Sequence, residues 1–283
     1  MESGPSRTAL GTAYLRAAHQ LLDGKPPVLD DPVALRLLGS SAARRILKHA
    51  ARYSATGAKG LRSHVLLRSR YAEDRLALAV SRDVTQAVFL GAGFDTFSLR
   101  QPEWASALTI FEVDHPATQG EKHRRMRDAD LVLPANARLV AFDFERESLL
   151  AGLSRGGVRL DGVTFFSWLG VSMYLREAAV RATLECLASF PAGSEVVFTF
   201  LEPPADDESR RSRFRSFLAD RVAAAGEPFL SRFTPSALSA LCHECGFSSV
   251  GFLSAEEADR LYFAGRSRDL PVPERTGIAW ALR

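Results

Sequence analysis

The first candidate for ligand binding is the turn Gly91-Ala92-Gly93, which directly follows an apolar run. Because the two glycines have no side chains, a ligand could lie there against backbone N–H groups at the end of a buried strand. Thr96 stands where the dinucleotide-binding pattern GxGxxG has its third glycine, so that pattern is absent. Many strand-to-helix turns contain G-x-G for steric reasons alone, and the turn by itself does not decide the function.

Acidic residues end the two apolar runs that follow this turn. Glu112 and Asp114 close the run 108–114, about 20 residues beyond the glycines, where an acid can accept hydrogen bonds from ribose hydroxyls. Asp143 closes the run 137–143 and is followed by Phe144. Such a pair could accept a hydrogen bond from an adenine amino group and pack on the base. Each acid could instead cap a helix, but the three features in this order favour a ligand that contains a nucleoside.

The elements that must position these residues are short apolar strands separated by amphipathic helices. The pattern predicts strands over 86–93, 108–114, 137–143, 162–170 and 194–201. Strands that alternate with helices indicate a parallel sheet covered on both faces. Two later apolar runs, 248–254 and 277–283, would complete the sheet as a closing pair that includes one antiparallel strand.

No Pro/Gly/Ser-rich linker divides the chain, so we expect one domain over residues 1–283. Apolar residues at three- and four-residue spacing predict a helical cap over 1–83, ahead of a ligand-binding core over 84–201. The polar stretch that begins at 202 would form a lid over 202–235, and 236–283 would complete the sheet.

Composition excludes several classes of function. The 283 residues are 46% hydrophobic and have a net charge of +3, which does not indicate a nucleic-acid partner. No apolar run is long enough for a membrane span or a secretory signal, so we expect a cytoplasmic protein without a membrane partner. Cys242 and Cys245 have CxxC spacing, but no second pair follows, so no metal site is expected.

Five motifs together resemble one known family. They are RSRYAEDRL (68–76), FLGAGFDTFSLR (89–100), FEVDHPATQGEKHRR (111–125), AFDF (141–144) and WLGVSMYL (168–175). In this order they are similar to the class I S-adenosyl-L-methionine (SAM) methyltransferases of the leucine carboxyl methyltransferase-like family. The resemblance implies a Rossmann-like, mostly parallel α/β sheet of seven strands with helices on both faces, a helical amino-terminal cap and a helical lid insertion after the fifth strand.

The resemblance also implies a role for each motif residue in binding SAM as the cofactor. The turn Gly91-Ala92-Gly93, with Asp95, would lie under its amino-acid portion. Asp114 would accept the ribose hydroxyls, a role that could move to Glu112 on the same face of the strand. Asp143 and Phe144 would contact the adenine. Arg68 and Arg70 would bind the methionine carboxylate, unless they are exposed helix arginines.

The sequence departs from the family pattern at Leu169. Phosphatase carboxyl methyltransferases have a glutamate there, and a leucine cannot accept a hydrogen bond. This departure favours a bacterial, polyketide-type O-methyltransferase that acts on a carboxylate or hydroxyl of a small acceptor. A protein C-terminal carboxyl methyltransferase and a catalytically inactive SAM-binding protein are the alternatives.

The sequence identifies no catalytic residue. His115 and Tyr174 lie near the expected edge of the sheet and could act as a base, although His115 could cap the following helix and Tyr174 could pack in the core. Four phenylalanines of the expected lid could cover an apolar acceptor or could be ordinary packing residues: Phe214, Phe217, Phe229 and Phe233.

Overall fold

A computed structural model describes residues 4–143, 147–204 and 228–283. Phe144, Phe214 and Phe217 lie outside the described residues, so the expectations for them stay predictions. Within the described ranges no helix is long and apolar enough to cross a membrane.

Seven strands form one sheet within the described residues. They are β1 (Gln86–Leu90), β2 (Thr109–Asp114), β3 (Ala137–Ala141), β4 (Thr164–Trp168), β5 (Glu195–Thr199), β6 (Ser249–Phe252) and β7 (Ile278–Leu282). Their order is β3-β2-β1-β4-β5-β7-β6, and only β7 runs antiparallel to its neighbours. The predicted mostly parallel sheet and its closing pair are confirmed.

Helices cover both faces of this sheet. Before the sheet come α1 (Arg7–Leu22), α2 (Pro32–Leu37), α3 (Ala42–Lys48), α4 (Ala50–Ser54) and α5 (Thr56–Val80). Between and after the strands come α6 (Pro116–Asp128), α7 (Leu149–Arg155), α8 (Glu177–Ala188), α9 (Pro235–Cys245) and α10 (Ala255–Ala258). Proline at the first position, after a capping side chain, starts α2, α6 and α9.

The strands read as continuous apolar runs because both faces of the sheet are buried. Val88 and Leu90 of β1 belong to the core under α7, α8 and α9. Ala87 and Phe89 point the other way, into the core that α5 closes with Leu66 and neighbouring residues. Because β1, β2 and β4 are parallel, their carboxyl ends lie at one edge of the sheet. This edge lies beside α1 and α5.

Candidate functional site

The glycine turn after β1 has a backbone that other residues adopt poorly. Gly91 and Gly93 have φ values of +65° and +53°, in the left-handed region that glycine favours. A Cβ on Gly91 would overlap a methyl group of Val171, and one on Gly93 would lie 3.0 Å from Cβ of Ala9. The turn is thus held between α1 and the segment after β4.

The expectation that this turn offers free backbone N–H groups is wrong. Gly91 and Ala92 both donate to the carbonyl of Val113, at 2.8 and 3.1 Å. Gly93 donates to the Asp114 carboxylate at 2.6 Å. The three donors are used to join β1 to β2, and Val171 and Ala9 occupy the space beside the two glycines, so the turn fixes the backbone at the ends of these strands rather than donating to a ligand.

Asp114 is fixed at the end of β2 by two backbone donors. One carboxylate oxygen accepts from Gly93, and the other accepts from the N–H of His115 at 2.7 Å. Burial raises the pKa of this carboxyl, while the two N–H groups and the Lys122 charge oppose the rise. Each carboxylate oxygen accepts more than one hydrogen bond, so Asp114 retains acceptor capacity in a fixed orientation. The geometry suits the ribose role predicted for it.

Glu112 does not share this role. Its buried carboxylate accepts a hydrogen bond from Ser98 and forms an ion pair with Lys122, which is itself buried. Lys122 also donates to the carbonyl of Asp95 at 2.6 Å. The expectation that Glu112 could replace Asp114 is corrected, because both of its oxygens already have partners inside the core.

Arg68 is the cation at this edge. An added Cβ on Gly170, just after β4, would lie only 2.7 Å from each terminal nitrogen of Arg68, so the guanidinium lies directly against that turn. No described residue forms a hydrogen bond or an ion pair with it. Burial lowers the pKa of Arg68 to about 10, with Arg16 adding to this effect and Tyr174 and Asp95 opposing it. The side chain is still charged at neutral pH and has donors available for an anion.

Arg70 does not join Arg68, which corrects the second half of that prediction. It is exposed and forms an ion pair with Asp74, one turn further along α5, at 3.0 Å. Residues two apart on a helix point to different sides. The arginine pair in the sequence therefore supplies one arginine to the site and one to the surface.

Asp95 belongs to a buried polar network that ties α1 to the glycine turn. Arg16 of α1 lies 3.0 Å from the Asp95 carboxylate and 2.6 Å from that of Asp31. Thr96 donates to Asp31 at 2.7 Å and accepts from Arg16 at 2.5 Å. Burial alone would raise the pKa of Asp95, but Arg16, Arg100 and Lys122 outweigh it, so the pKa is lowered. Asp95 is therefore ionised, and partners within the protein hold its carboxylate.

A narrow pocket lies under α5 at the same edge. Its lining includes Glu73, Asp95, Ser167 and Leu169. Burial raises the pKa of Glu73, although both of its oxygens contact the Arg100 guanidinium. The pocket therefore combines the apolar Leu169 with Glu73 of α5. The sequence alone did not identify Glu73, because no local motif marks it.

His115 and Asp143 lie just after β2 and β3, where the ribose and adenine contacts are predicted. Nδ1 of His115 accepts a hydrogen bond from the N–H of Ala117 at 3.2 Å. His115 therefore caps α6, which was the alternative to its role as a base. Asp143 follows β3 and is half-buried beside the end of β2. Its place is compatible with the adenine contact predicted for it.

Tyr174 and Phe229 form an aromatic pair on the opposite side. Their ring centroids lie 5.4 Å apart, and Tyr174 is close enough to Arg68 to act on its pKa. Phe233 packs against the main core, and its N–H donates to the carbonyl of Leu201 at 2.8 Å. Of the two described lid phenylalanines, only Phe229 is therefore shown against a residue of the candidate site.

Comparison with known proteins identifies the family. Residues 9–188 match the family described as leucine carboxyl methyltransferase. The chain belongs to this family. It is 30% identical to YktD of Bacillus subtilis, named as a SAM-dependent methyltransferase, over 98% of both chains. A Mycobacterium avium protein of the same description is 27% identical over 76% of this chain and 73% of its own.

Solved structures show the same fold. A methyltransferase from Thermobifida fusca superposes with a TM-score of 0.58 at 18% identity, covering 100% of this chain and 96% of its own. A protein from Streptomyces avermitilis gives 0.56 at 16% identity, over 98% and 96%. The chain is a SAM-dependent methyltransferase. The acidic strand ends and Arg68 at this edge fit a ligand with ribose hydroxyls and a carboxylate.

Proposed function

We propose that this enzyme transfers the methyl group of SAM to an oxygen of a small acceptor, a hydroxyl or a carboxylate of a natural-product-like molecule. The observation that carries the proposal is the Tyr174–Phe229 pair beside Arg68, because it gives the acceptor side an aromatic surface. Such a surface suits an apolar or aromatic acceptor. Leu169 supports it further, since the glutamate of the phosphatase methyltransferases is missing.

Different residues of this edge would bind different parts of SAM. Asp114 would accept from the ribose hydroxyls, and Asp143 would lie on the adenine side. Arg68 would bind the carboxylate of the methionine portion, for which its planar donors are suited. The glycine turn would hold Asp114 in place for its contact, through the N–H of Gly93.

Bound SAM supplies a methyl group on a positively charged sulfur, which is open to in-line attack. The protein then has mainly to align the acceptor oxygen with that methyl group, and orientation can lower such a barrier by roughly 7–11 kcal/mol. A carboxylate acceptor needs no base. A hydroxyl acceptor gains about 10²–10⁴-fold from one.

A labelling screen tests the proposal. The protein is incubated with SAM that has a tritiated methyl group and with panels of phenols, alcohols and carboxylic acids. We expect label to be transferred to at least one small acceptor, as a base-stable ether or a base-labile ester. Transfer only to a protein carboxyl terminus, or no transfer although SAM binds, would contradict the proposal.

A further inference from the structure

His64 lies on α5 one helical turn before Arg68. Residues four apart on a helix share a face, so both side chains point to the same side of α5. The His64 ring is half-buried, and its Nε2 lies 2.8 Å from the carbonyl oxygen of Thr276. Sequence reasoning passed over this residue, although its spacing from Arg68 was visible.

The contact with Thr276 fixes the tautomer of the ring. A carbonyl oxygen only accepts hydrogen bonds, so Nε2 must hold the proton and Nδ1 must present a lone pair. No described residue forms a hydrogen bond with Nδ1. Among the described side chains only Trp168 has a polar atom that is both sealed from solvent and unpaired. Nδ1 of His64 is thus an acceptor that remains reachable.

Its partner places His64 at the end of β5. Thr276 precedes Gly277, whose carbonyl accepts from the N–H of Phe200 at 2.9 Å, directly after β5. Arg68 lies against Gly170, directly after β4. Along the edge, the ribose acid is at β2, the carboxylate-binding arginine is at β4, and His64 comes next at β5. This is the side away from the nucleoside, where an acceptor must approach the methyl group.

We propose that His64 is the proton acceptor for a hydroxyl substrate, which makes the acceptor a phenol or an alcohol and the product an ether. The proposal rests on the proposed function. In the step, the hydroxyl oxygen forms the bond to the methyl carbon while the carbon–sulfur bond breaks and its electron pair stays on sulfur. The hydroxyl proton passes to Nδ1, and the resulting imidazolium keeps its hydrogen bond to the Thr276 carbonyl.

The charges around His64 make its strength as a base depend on whether a carboxylate is bound at Arg68. Burial and the charge of Arg68 lower the pKa of His64 to about 4, while the hydrogen bond to Thr276 acts in the opposite direction. The charged group of α5 that acts on His64 is Arg68, and the carboxyl-terminal segment supplies the Thr276 carbonyl. Tyr174, in the segment after β4, acts on the pKa of Arg68 and so affects His64 only indirectly. A carboxylate bound to Arg68 would offset the part of this lowering that comes from the Arg68 charge, so His64 becomes a stronger base when that carboxylate is in place, while the larger effect of burial stays.

The first test needs no methyl acceptor. Histidine ring signals are titrated by NMR with and without S-adenosylhomocysteine, which has the carboxylate but not the sulfonium charge. The His64 signal is assigned by its loss in His64→Gln, and exposed His123 on α6 is the internal control. We expect the ligand to raise the pKa of His64 and to leave that of His123 unchanged. An unchanged His64 would overturn the coupling.

The second test uses an acceptor found by the labelling screen. We expect base-stable label, and in His64→Gln a fall in kcat of about 10²–10⁴-fold with the dissociation constant of S-adenosylhomocysteine within about twofold of wild type. His123→Gln should keep the wild-type rate. A base-labile product, or a wild-type kcat in His64→Gln, overturns the role of His64 alone. Absence of any labelled acceptor contradicts the proposed function instead.

Discussion

At the scale of single residues, the site requires a glycine, which has no side chain, at one position and charged side chains at two others. Gly91 must have a positive φ, and it must leave room for the methyl group of Val171. Arg68 must remain unpaired, although it is enclosed enough for burial to lower its pKa. Asp114 must be held by backbone donors so that its remaining lone pairs point in one direction.

Replacing Gly91→Ala should destabilise the protein by about 1–3 kcal/mol, because the added methyl group combines a left-handed backbone with an overlap at Val171. Urea unfolding measures the effect. The double variant Gly91→Ala/Val171→Ala should lose less than the sum of the two single variants. Gly60→Ala is the matched control, since Gly60 lies in α5 with no atom within 4 Å of an added Cβ, and it should be neutral or stabilising. Equal losses in Gly91→Ala and Gly60→Ala would contradict the steric account.

At the scale of elements, α1 and α5 complete the ligand edge that the strands begin. Arg16 fastens α1 to Asp31 and Asp95, and Arg100 contacts Glu73 of α5. These ion pairs join residues far apart in the chain, which is why the sequence predicted the helices and strands but not their connections. Glu112 illustrates the point, since its partner Lys122 is visible only once α6 packs on the sheet.

Local geometry, by contrast, could have separated the two arginines of the RSRYAEDRL motif. A helix turns far enough in two residues to send Arg68 inward and Arg70 outward. The strand ends were predictable because acids and glycines interrupt apolar runs there. The use of the N–H groups of Gly91 and Ala92 was not, since it depends on how closely β1 and β2 approach at their ends.

Removing the cation that fastens α1 should be costly. Arg16→Ala leaves one buried and one half-buried carboxylate without their main partner, and such losses amount to about 3–5 kcal/mol. Arg44→Ala, on the exposed side of α3, should change the free energy of unfolding by less than about 0.5 kcal/mol. Chemical denaturation of the two variants checks the difference. A loss in Arg16→Ala no larger than in Arg44→Ala would show that the network does not hold α1.

The segment after residue 227 provides a matched pair of aromatic variants. Phe229→Ala should raise KM for the acceptor several-fold with little loss of stability, because Phe229 is half-buried and packs against Tyr174. Phe233→Ala should mainly lower the melting temperature, because Phe233 packs against the core. Steady-state kinetics and thermal unfolding distinguish the two effects. An unchanged KM in Phe229→Ala would argue against its contact with the acceptor.

At the scale of the whole molecule, the fold is one that many methyltransferases share. The chemistry of this chain therefore depends on which side chains lie at the carboxyl edge of its sheet. The family match and the strand order agree on the fold. Within that frame, Glu73 and Leu169 line one pocket at this edge, and His64 lies one helical turn before Arg68 on α5.

Because its pKa is lowered, half-buried His64 should also make the stability of the whole protein depend on pH. Its pKa is about 4 in the folded protein and about 6.5 in an unfolded chain. Between these values the unfolded chain binds a proton that the folded protein does not, so the free energy of unfolding falls as the pH drops from about 6.5 to 4. Asp95, whose pKa is lowered, loses its contribution only at lower pH. Urea titrations across this range should show a weaker pH dependence in His64→Gln; an identical dependence would contradict the burial of a neutral His64.

The central claim is that SAM binds at this sheet edge with its carboxylate on Arg68. Isothermal titration calorimetry of SAM against wild type, Arg68→Ala and Arg70→Ala tests it most directly. A hydrogen-bonded charge is typically worth about 1.5–3 kcal/mol, so Arg68→Ala should weaken binding roughly 10- to 100-fold, while Arg70→Ala should bind as wild type does. Equal affinity in wild type and Arg68→Ala, or an equal loss in both variants, would contradict the account.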